Sequence, residues 1–191
     1  IMKKILVSLT AISVLLLVAF QLGLFSSQKS ILESYNLENM TVESMVLALE
    51  TKSIDTKGLV ASINSEYLVL ETEEENMTVA LPEDRFYLSF APYINNTHPC
   101  NTHFLTSCQS ELRNESFHVK VVLDDGTVII DDTLISAQNG FVGVWLPKDV
   151  NATLHIEFED LHISSPIATF EGSPTCLTTP LQLVKKVSLL S

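Results

Sequence analysis

The residues best suited to chemistry in this 191-residue chain lie between positions 98 and 108. This stretch holds two of the three cysteines, Cys100 and Cys108, and two of the five histidines, His98 and His103. The third cysteine, Cys176, lies far downstream. Sulfur ligands with an imidazole among them are the donor set that Cu(I) prefers, and Zn(II) accepts the same set. The sequence therefore predicts a metal site that forms only if the fold returns Cys176 to the earlier loop.

The N-terminal residues have the composition of an export signal. Lys3 and Lys4 precede an uncharged apolar run over residues 5–20, and polar residues follow it. We expect residues 1–26 to be a cleaved signal peptide. Retention as a membrane anchor is the alternative, because residues 5–25 would span roughly 30 Å as a helix. In either case the rest of the chain would be exported, as a periplasmic or other extracytoplasmic protein.

An exported location leaves two interpretations of the cysteines open. Thiols outside the cytoplasm tend to pair, and three cysteines cannot all pair within one chain. The first interpretation is a Cys100–Cys108 disulfide that acts as a staple, with Cys176 unpaired. The second is a metal thiolate site with all three cysteines, which His103 favours because it lies between two of them. His98 is held extended by the proline that follows it, so we expect it to flank the site.

The charge of the chain excludes one class of partner. The formal net charge is −12, and no cluster of Lys and Arg offsets it locally. A phosphate backbone would repel such a surface, so we expect no nucleic-acid partner. The sequence shows no Ser/His/Asp arrangement, no glycine loop for a phosphate, and no Cys-x-x-Cys pair of the kind that thiol oxidoreductases use.

Apolar periodicity predicts helices in the first part of the chain. We expect helices over residues 30–35 and 41–50. Four apolar residues of the second helix recur at helical spacing and form one stripe: Val42, Met45, Val46 and Leu49. Such a stripe is typical of a helix that packs on a sheet, with a contact between two copies of the chain as the alternative. Residues 27–57 are therefore predicted to be a helical segment. One interpretation is that this segment forms the contact in a dimer.

From Gly58 onward the apolar period changes to two residues, which is typical of strands. The predicted strands cover residues 59–63, 67–70, 77–81, 86–90, 117–123, 128–130, 141–146, 154–158 and 163–170. Asp125-Gly126 and Asn139-Gly140 are typical turns between strands. The sequence thus predicts an α+β, mainly β fold: a short N-terminal helical segment, then antiparallel strands and a small β-sandwich-like C-terminal half, with the cysteine-bearing loop between. Residues 58–191 would form one mainly β metal-binding domain.

Several motifs resemble the CueP family of exported copper-binding proteins. The first group is Phe86-Tyr87-Leu88-Ser89, Ala91-Pro92-Tyr93 and Thr97-His98-Pro99-Cys100, with His103 and Cys108. The second group is Asn139-Gly140-Phe141-Val142-Gly143, Trp145-Leu146-Pro147 and Pro174-Thr175-Cys176-Leu177-Thr178-Thr179. The resemblance covers residues 86–183 and includes every cysteine.

The resemblance implies copper binding outside the cytoplasmic membrane. It implies that Cys100, Cys108 and Cys176 are thiol ligands and redox groups that take Cu(II) to Cu(I), and that His103 is an imidazole ligand. It also implies a homodimer formed through the N-terminal part, and copper resistance with delivery of copper to exported proteins, including a superoxide dismutase.

Electron balance predicts stoichiometric reduction of Cu(II) by the thiols, because closure of a disulfide releases two electrons. A turnover enzyme is not expected, since each further cycle would need an external reductant. The alternative function is a structural module, in which zinc or a disulfide clamps the cysteine loop to a β-domain that acts as a binding module.

Overall fold

A computed structural model describes residues 30–185 of the chain. Residues 1–29, and with them the predicted signal or anchor, lie outside the described residues, as do residues 186–191. No helix within the described range is long and apolar enough to cross a membrane. The predicted boundaries at residues 26 and 57 stay predictions.

Two helices precede the strands. Helix α1 spans Ile31–Ser34 and helix α2 spans Val42–Glu50. The Thr41 hydroxyl caps α2 by accepting a hydrogen bond from the Ser44 N–H at 3.3 Å, which satisfies a free amide of the first turn. The apolar stripe of α2 is buried inside the chain through Met45, Val46 and Leu49. The stripe therefore packs on the chain's own core, as the first interpretation requires.

The remaining elements are short strands. They are β1 Val60–Ile63, β2 Tyr67–Glu71, β3 Asn76–Ala80, β4 Arg85–Phe90, β5 His103–Phe104, β6 Ser116–Leu123, β7 Val128–Ile135, β8 Val142–Pro147, β9 Asn151–Phe158, β10 Leu161–Ala168, β11 Cys176–Leu177 and β12 Val184–Lys185. In the described part of the chain they form sheets of order β3-β2-β1-β5, β12-β10-β9-β6-β7 and β11-β4-β8. Neighbours pair antiparallel, except that β11 runs parallel to β4. The predicted α+β, mainly β fold is confirmed.

Strand β4 separates two apolar cores. Successive side chains of a strand point to opposite faces, so Phe86 and Leu88 enter a core shared with β6, β8 and β9. This core lies between two sheets, as the predicted sandwich requires. Tyr87 points the other way, into a second core formed by α2 and the sheet that contains β1 and β2. Burial on both faces makes β4 a rigid base for the loop that follows it.

Two short strands bring Cys176 to the cysteine loop. Strand β11 pairs with the edge of β4 and places Cys176 opposite Ser89. Strand β5 carries His103 and joins the loop to the edge of β1. The carbonyl of Asn101 then accepts hydrogen bonds from the N–H groups of Thr175 and Cys176, at 3.0 and 3.2 Å. The loop and β11 are thus joined by backbone contacts independently of any sulfur.

Candidate metal centre

The three cysteines and one histidine converge at a single point. One ligand atom from each of Cys100, His103, Cys108 and Cys176 lies within 4.8 Å of the others. A metal–sulfur bond measures about 2.3 Å, so two sulfurs on one ion lie at most about 4.6 Å apart. The donor set is therefore compact enough to surround one ion after small side-chain movements. The expected return of Cys176 to the loop is observed.

Two of the three sulfurs are joined. Cys100 and Cys176 form a disulfide with their Cα atoms 5.4 Å apart, and Cys108 is a free thiol. The staple interpretation, which paired Cys100 with Cys108, is therefore wrong for this structure. Cys108 is instead engaged in its own turn with Phe104. The N–H of Cys108 donates to the Phe104 carbonyl at 2.9 Å, and the Cys108 sulfur accepts from the Phe104 N–H at 3.4 Å.

The four donors differ in exposure. Cys176 and His103 are fully buried, whereas Cys100 and Cys108 are half-buried. Cys176 lies in a small apolar cluster with Ala91 and Phe141, against which the other two cysteines pack. Water is thus excluded from one side of the donor set, and the other side faces solvent.

The His103 ring is held from several directions. Its Nε2 lies 2.8 Å from Oε2 of Glu50, and the ring of Phe141 packs against it with 4.7 Å between centroids. The backbone N–H of His103 donates to Oγ1 of Thr175 at 3.2 Å. The remaining ring nitrogen, Nδ1, is buried and makes no hydrogen bond within residues 30–185. This nitrogen is therefore the one free to bind an ion.

The neighbours of His103 stabilise its protonated form. Burial by itself would lower the pKa of His103, but the Cys108 sulfur and the Glu50 carboxylate raise it to about 9. Nδ1 forms no hydrogen bond with this sulfur, so the sulfur acts by its proximity to the ring. Binding of a metal ion at Nδ1 would therefore displace a proton.

Glu50 is the last residue of α2 and anchors a buried polar network. Its Oε2 accepts a hydrogen bond from the Tyr87 hydroxyl at 3.2 Å, and its Oε1 accepts one from Nδ2 of Asn139 at 2.6 Å. The Asn139 side-chain oxygen in turn accepts from the Phe141 N–H at 3.0 Å, which fixes the orientation of the amide. Burial raises the pKa of Tyr87 well above its usual value, and the negative charge of Glu50 raises it further. The phenol therefore remains a hydrogen-bond donor.

Two glycines in and beside this network stand where a Cβ would have no room. A Cβ at Gly143 on β8 would overlap the Tyr87 hydroxyl, so only glycine lets that side chain cross β8 toward Glu50. Gly140 has φ +86, and a Cβ there would lie 2.9 Å from the carbonyl oxygen of Ser110. The Asn139-Gly140 turn therefore packs directly on the chain that follows the cysteine loop.

Comparison with known proteins agrees with this geometry. The model of a family described as "Periplasmic copper-binding protein CueP" matches residues 44–182. The chain belongs to the CueP family. The crystal structure of S.CueP is 39% identical, has a TM-score of 0.77, and aligns with 83% of this chain and 100% of that chain. Comparison with curated proteins finds no match.

The family match confirms the resemblance expected from the motifs. CueP proteins are periplasmic and bind copper, so this chain is a member of a periplasmic copper-binding family. The matched residues include all three cysteines and His103, and they also include Glu50.

The sequence analysis missed Glu50, Asn139 and Phe141 as residues of the site. One signal for Glu50 is present in the sequence. A carboxylate at the last position of a helix opposes the helix dipole, and Glu50 directly follows the apolar stripe of α2. An anion in so unfavourable a position indicates a specific partner. Asn139 and Phe141 gave no such signal, because Asn139 fits a turn and Phe141 fits a strand.

The other histidines lie away from the four converging donors. His98 is exposed, and its carbonyl accepts a hydrogen bond from Oγ1 of Thr178 at 2.6 Å. His118 pairs with Asp131 at 3.0 Å on an exposed face. His155 lies 2.7 Å from the Ser164 hydroxyl.

Proposed function

We propose that this chain holds copper as Cu(I), with Cys100, Cys108 and Cys176 as thiolate ligands and His103 as the imidazole ligand. The observation that supports this most is the convergence of these four side chains within 4.8 Å from distant parts of the chain. Soft sulfur ligands favour Cu(I) over harder ions. Zinc accepts the same donors and is the expected substitute.

The thiols also reduce Cu(II) in this proposal. Two thiols lose two protons and two electrons as they form one disulfide, and the two electrons convert two Cu(II) ions to Cu(I). Cys100 and Cys176 are the proposed electron source, because they form the disulfide in this structure and the Asn101 carbonyl beside Cys100 joins the loop to β11. Cys108 and His103 remain beside the disulfide as donors. An external reductant must restore the dithiol, so the reaction is stoichiometric for each chain.

The exposed side of the site suits release of copper. Cys100 and Cys108 are half-buried, so a partner's ligand can approach the ion from their side. We propose that the chain contributes to copper resistance by sequestering Cu(I). We also propose that it delivers copper to exported proteins such as a copper-dependent superoxide dismutase. A homodimer formed through residues 27–57, and a signal or anchor in residues 1–26, belong to the same proposal.

A structural role is the second candidate, and the disulfide favours it. Cys100 and Cys176 are 76 residues apart in sequence, so their bond constrains a large part of the unfolded chain. In this alternative the disulfide, or a zinc ion, only clamps the cysteine loop to β11.

One experiment separates the two candidates. Cu(II) is added to the fully reduced chain in the presence of a Cu(I)-specific chromophore, and free thiols are counted in parallel. We expect Cu(I) to appear in proportion to the thiols lost, and Cys176→Ser to impair both. Unchanged thiols, together with tight Zn(II) binding and strong destabilisation on chelation, would favour the structural module instead.

A further inference from the structure

We propose that Glu50 is a positioning residue of the copper site: it accepts the Nε2–H of His103 and thereby assigns Nδ1 to the metal ion. This inference rests on the proposed function and adds the helix α2 to the site. The four proposed ligands all come from the strands and loops, so the helical segment would otherwise have no part in copper binding.

The direction of the Glu50–His103 contact follows from the donors available. An ionised carboxylate only accepts hydrogen bonds, so the 2.8 Å contact between Oε2 and Nε2 places a proton on Nε2. A neutral His103 then carries its lone pair on Nδ1. That atom is buried and without a hydrogen-bond partner in the described structure, as is the hydroxyl of Ser89 opposite Cys176. An orphaned nitrogen beside three sulfurs is the expected state of a ligand that awaits its ion.

The Glu50 carboxylate is itself immobilised. Tyr87 and Asn139 donate to it from different strands and loops, and Phe141 orients the Asn139 amide. Each contact is made by a donor, so the arrangement holds the carboxylate in one orientation. Phe141 restrains the site in two ways. Its ring packs on the ring of His103. Its backbone N–H orients the Asn139 amide, which in turn holds the Glu50 carboxylate.

A purely structural ion pair would not need this arrangement. Buried ion pairs are weak contributors to stability, because desolvation offsets much of the attraction. A carboxylate behind a metal-bound histidine has a different effect: it fixes the tautomer and raises the basicity of the ligand nitrogen. Loss of such a partner lowers metal affinity by roughly 10–100-fold.

The first test is Glu50→Gln in the full chain. We expect Cu(I) affinity, measured by competition with a Cu(I) chelator, to fall by roughly 10–100-fold. Glu43→Gln is the matched control, because it makes the same change of charge on the same helix, in the first turn and outside the group of four converging donors. Its affinity for Cu(I) should equal that of the unaltered chain.

The second test needs no variant and so does not depend on how Glu50→Gln folds. Cu(I) is diamagnetic, and ¹⁵N NMR of the histidine-labelled, copper-loaded chain reports which ring nitrogen of His103 carries the proton. We expect a proton on Nε2 and a metal-shifted Nδ1. A protonated Nδ1, or Glu50→Gln with unchanged affinity and an unchanged spectrum, would overturn the inference alone. A chain that binds no Cu(I) at its cysteines would overturn the proposed function as well.

Discussion

The two sides of the candidate copper site are built differently. On the inner side, Cys176 and His103 are completely buried and belong to strands β11 and β5, which pair with β4 and β1. On the outer side, Cys100 and Cys108 are half-buried and belong to an irregular loop. The inner side therefore fixes the geometry of the donor set, and the outer side gives an ion or a partner access to it.

The difference assigns separate tasks to chemically similar residues. Cys176 and Cys108 are both thiol donors, but only Cys176 is held by a strand, and only Cys108 is free in the oxidised form. His103 and His98 lie five positions apart, but only His103 enters the buried network of Glu50. Substitutions of matched residues on the two sides should therefore have unequal effects.

The largest expected effect is that of His103→Ala. This change leaves the buried Glu50 carboxylate without its cationic partner, and loss of one member of a buried pair costs about 3–5 kcal/mol. We expect the free energy of unfolding, measured by denaturant titration, to fall by that amount. His98→Ala is the control on the exposed loop and should change it by less than about 0.5 kcal/mol. Equal effects of the two substitutions would contradict the division between the inner and outer sides.

Cys176→Ser should have the next largest effect on stability. In the oxidised chain it removes a disulfide that closes a loop of 76 residues, which costs about 3–4 kcal/mol. Cys108→Ser removes a thiol of the same site without breaking that bond, so its unfolding free energy should stay within about 0.5 kcal/mol of the unaltered chain. Denaturant titrations with and without reductant measure both. If the difference in unfolding free energy between the two variants persists in the presence of reductant, the disulfide is not its cause.

Gly143→Ala tests how the inner side is supported from β8. The added Cβ would overlap the Tyr87 hydroxyl and push it away from Glu50. We expect the free energy of unfolding, measured by denaturant titration, to fall by about 1–3 kcal/mol, the usual cost of overpacking. Gly126→Ala is a steric control, since its Cβ would meet no atom within 4 Å, although its φ of +88 adds some backbone strain. Combining Gly143→Ala with Tyr87→Phe should recover little, because the ring remains in place.

The smallest effect concerns the outer side and depends on pH. Burial raises the pKa of Glu111, but hydrogen bonds from the backbone N–H groups of Asn95, Ile94 and Asn96 outweigh it and lower the pKa below its usual 4.5. The folded chain therefore binds fewer protons here than the unfolded chain. The contribution of Glu111 to stability is complete above about pH 4.5 and is lost as the pH falls through its lowered pKa.

Comparison of Glu111→Gln with the unaltered chain measures that contribution. We expect the Gln variant to be less stable at neutral pH, and the difference in unfolding midpoint to shrink below pH 4.5. Glu115→Gln is the control, since Glu115 is exposed and contacts the fold through its backbone. A difference that stays constant down to pH 2 would show that the carboxylate charge is not what holds the loop.

Much of the scaffold could be predicted because it depends on neighbours in sequence. The alternation over residues 117–123 and the Asp125-Gly126 turn predict a hairpin, and β6 and β7 form it with a turn glycine at φ +88. The stripe of α2 and its Thr41 cap are likewise local features. Period and turn chemistry specify such elements, and burial in the fold only selects their inner face.

The pairing inside the site could not be predicted in the same way. Three cysteines allow three pairings, and the choice depends on where β11 docks, which is a contact between distant residues. Glu50 poses the same problem, since it lies 53 positions from His103 and 89 positions from Asn139. Local patterns carry no information on contacts of that range. The residue types alone predicted that the sulfurs would meet, and the sheet topology decided which two would join.

The most direct test of the copper site is X-ray absorption at the copper edge on the reduced, copper-loaded chain. We predict Cu(I) with sulfur ligands from three cysteines, and one sulfur fewer in each of Cys100→Ser, Cys108→Ser and Cys176→Ser. Copper surrounded by nitrogen and oxygen alone, or a sulfur count that Cys176→Ser leaves unchanged, would contradict the proposed site.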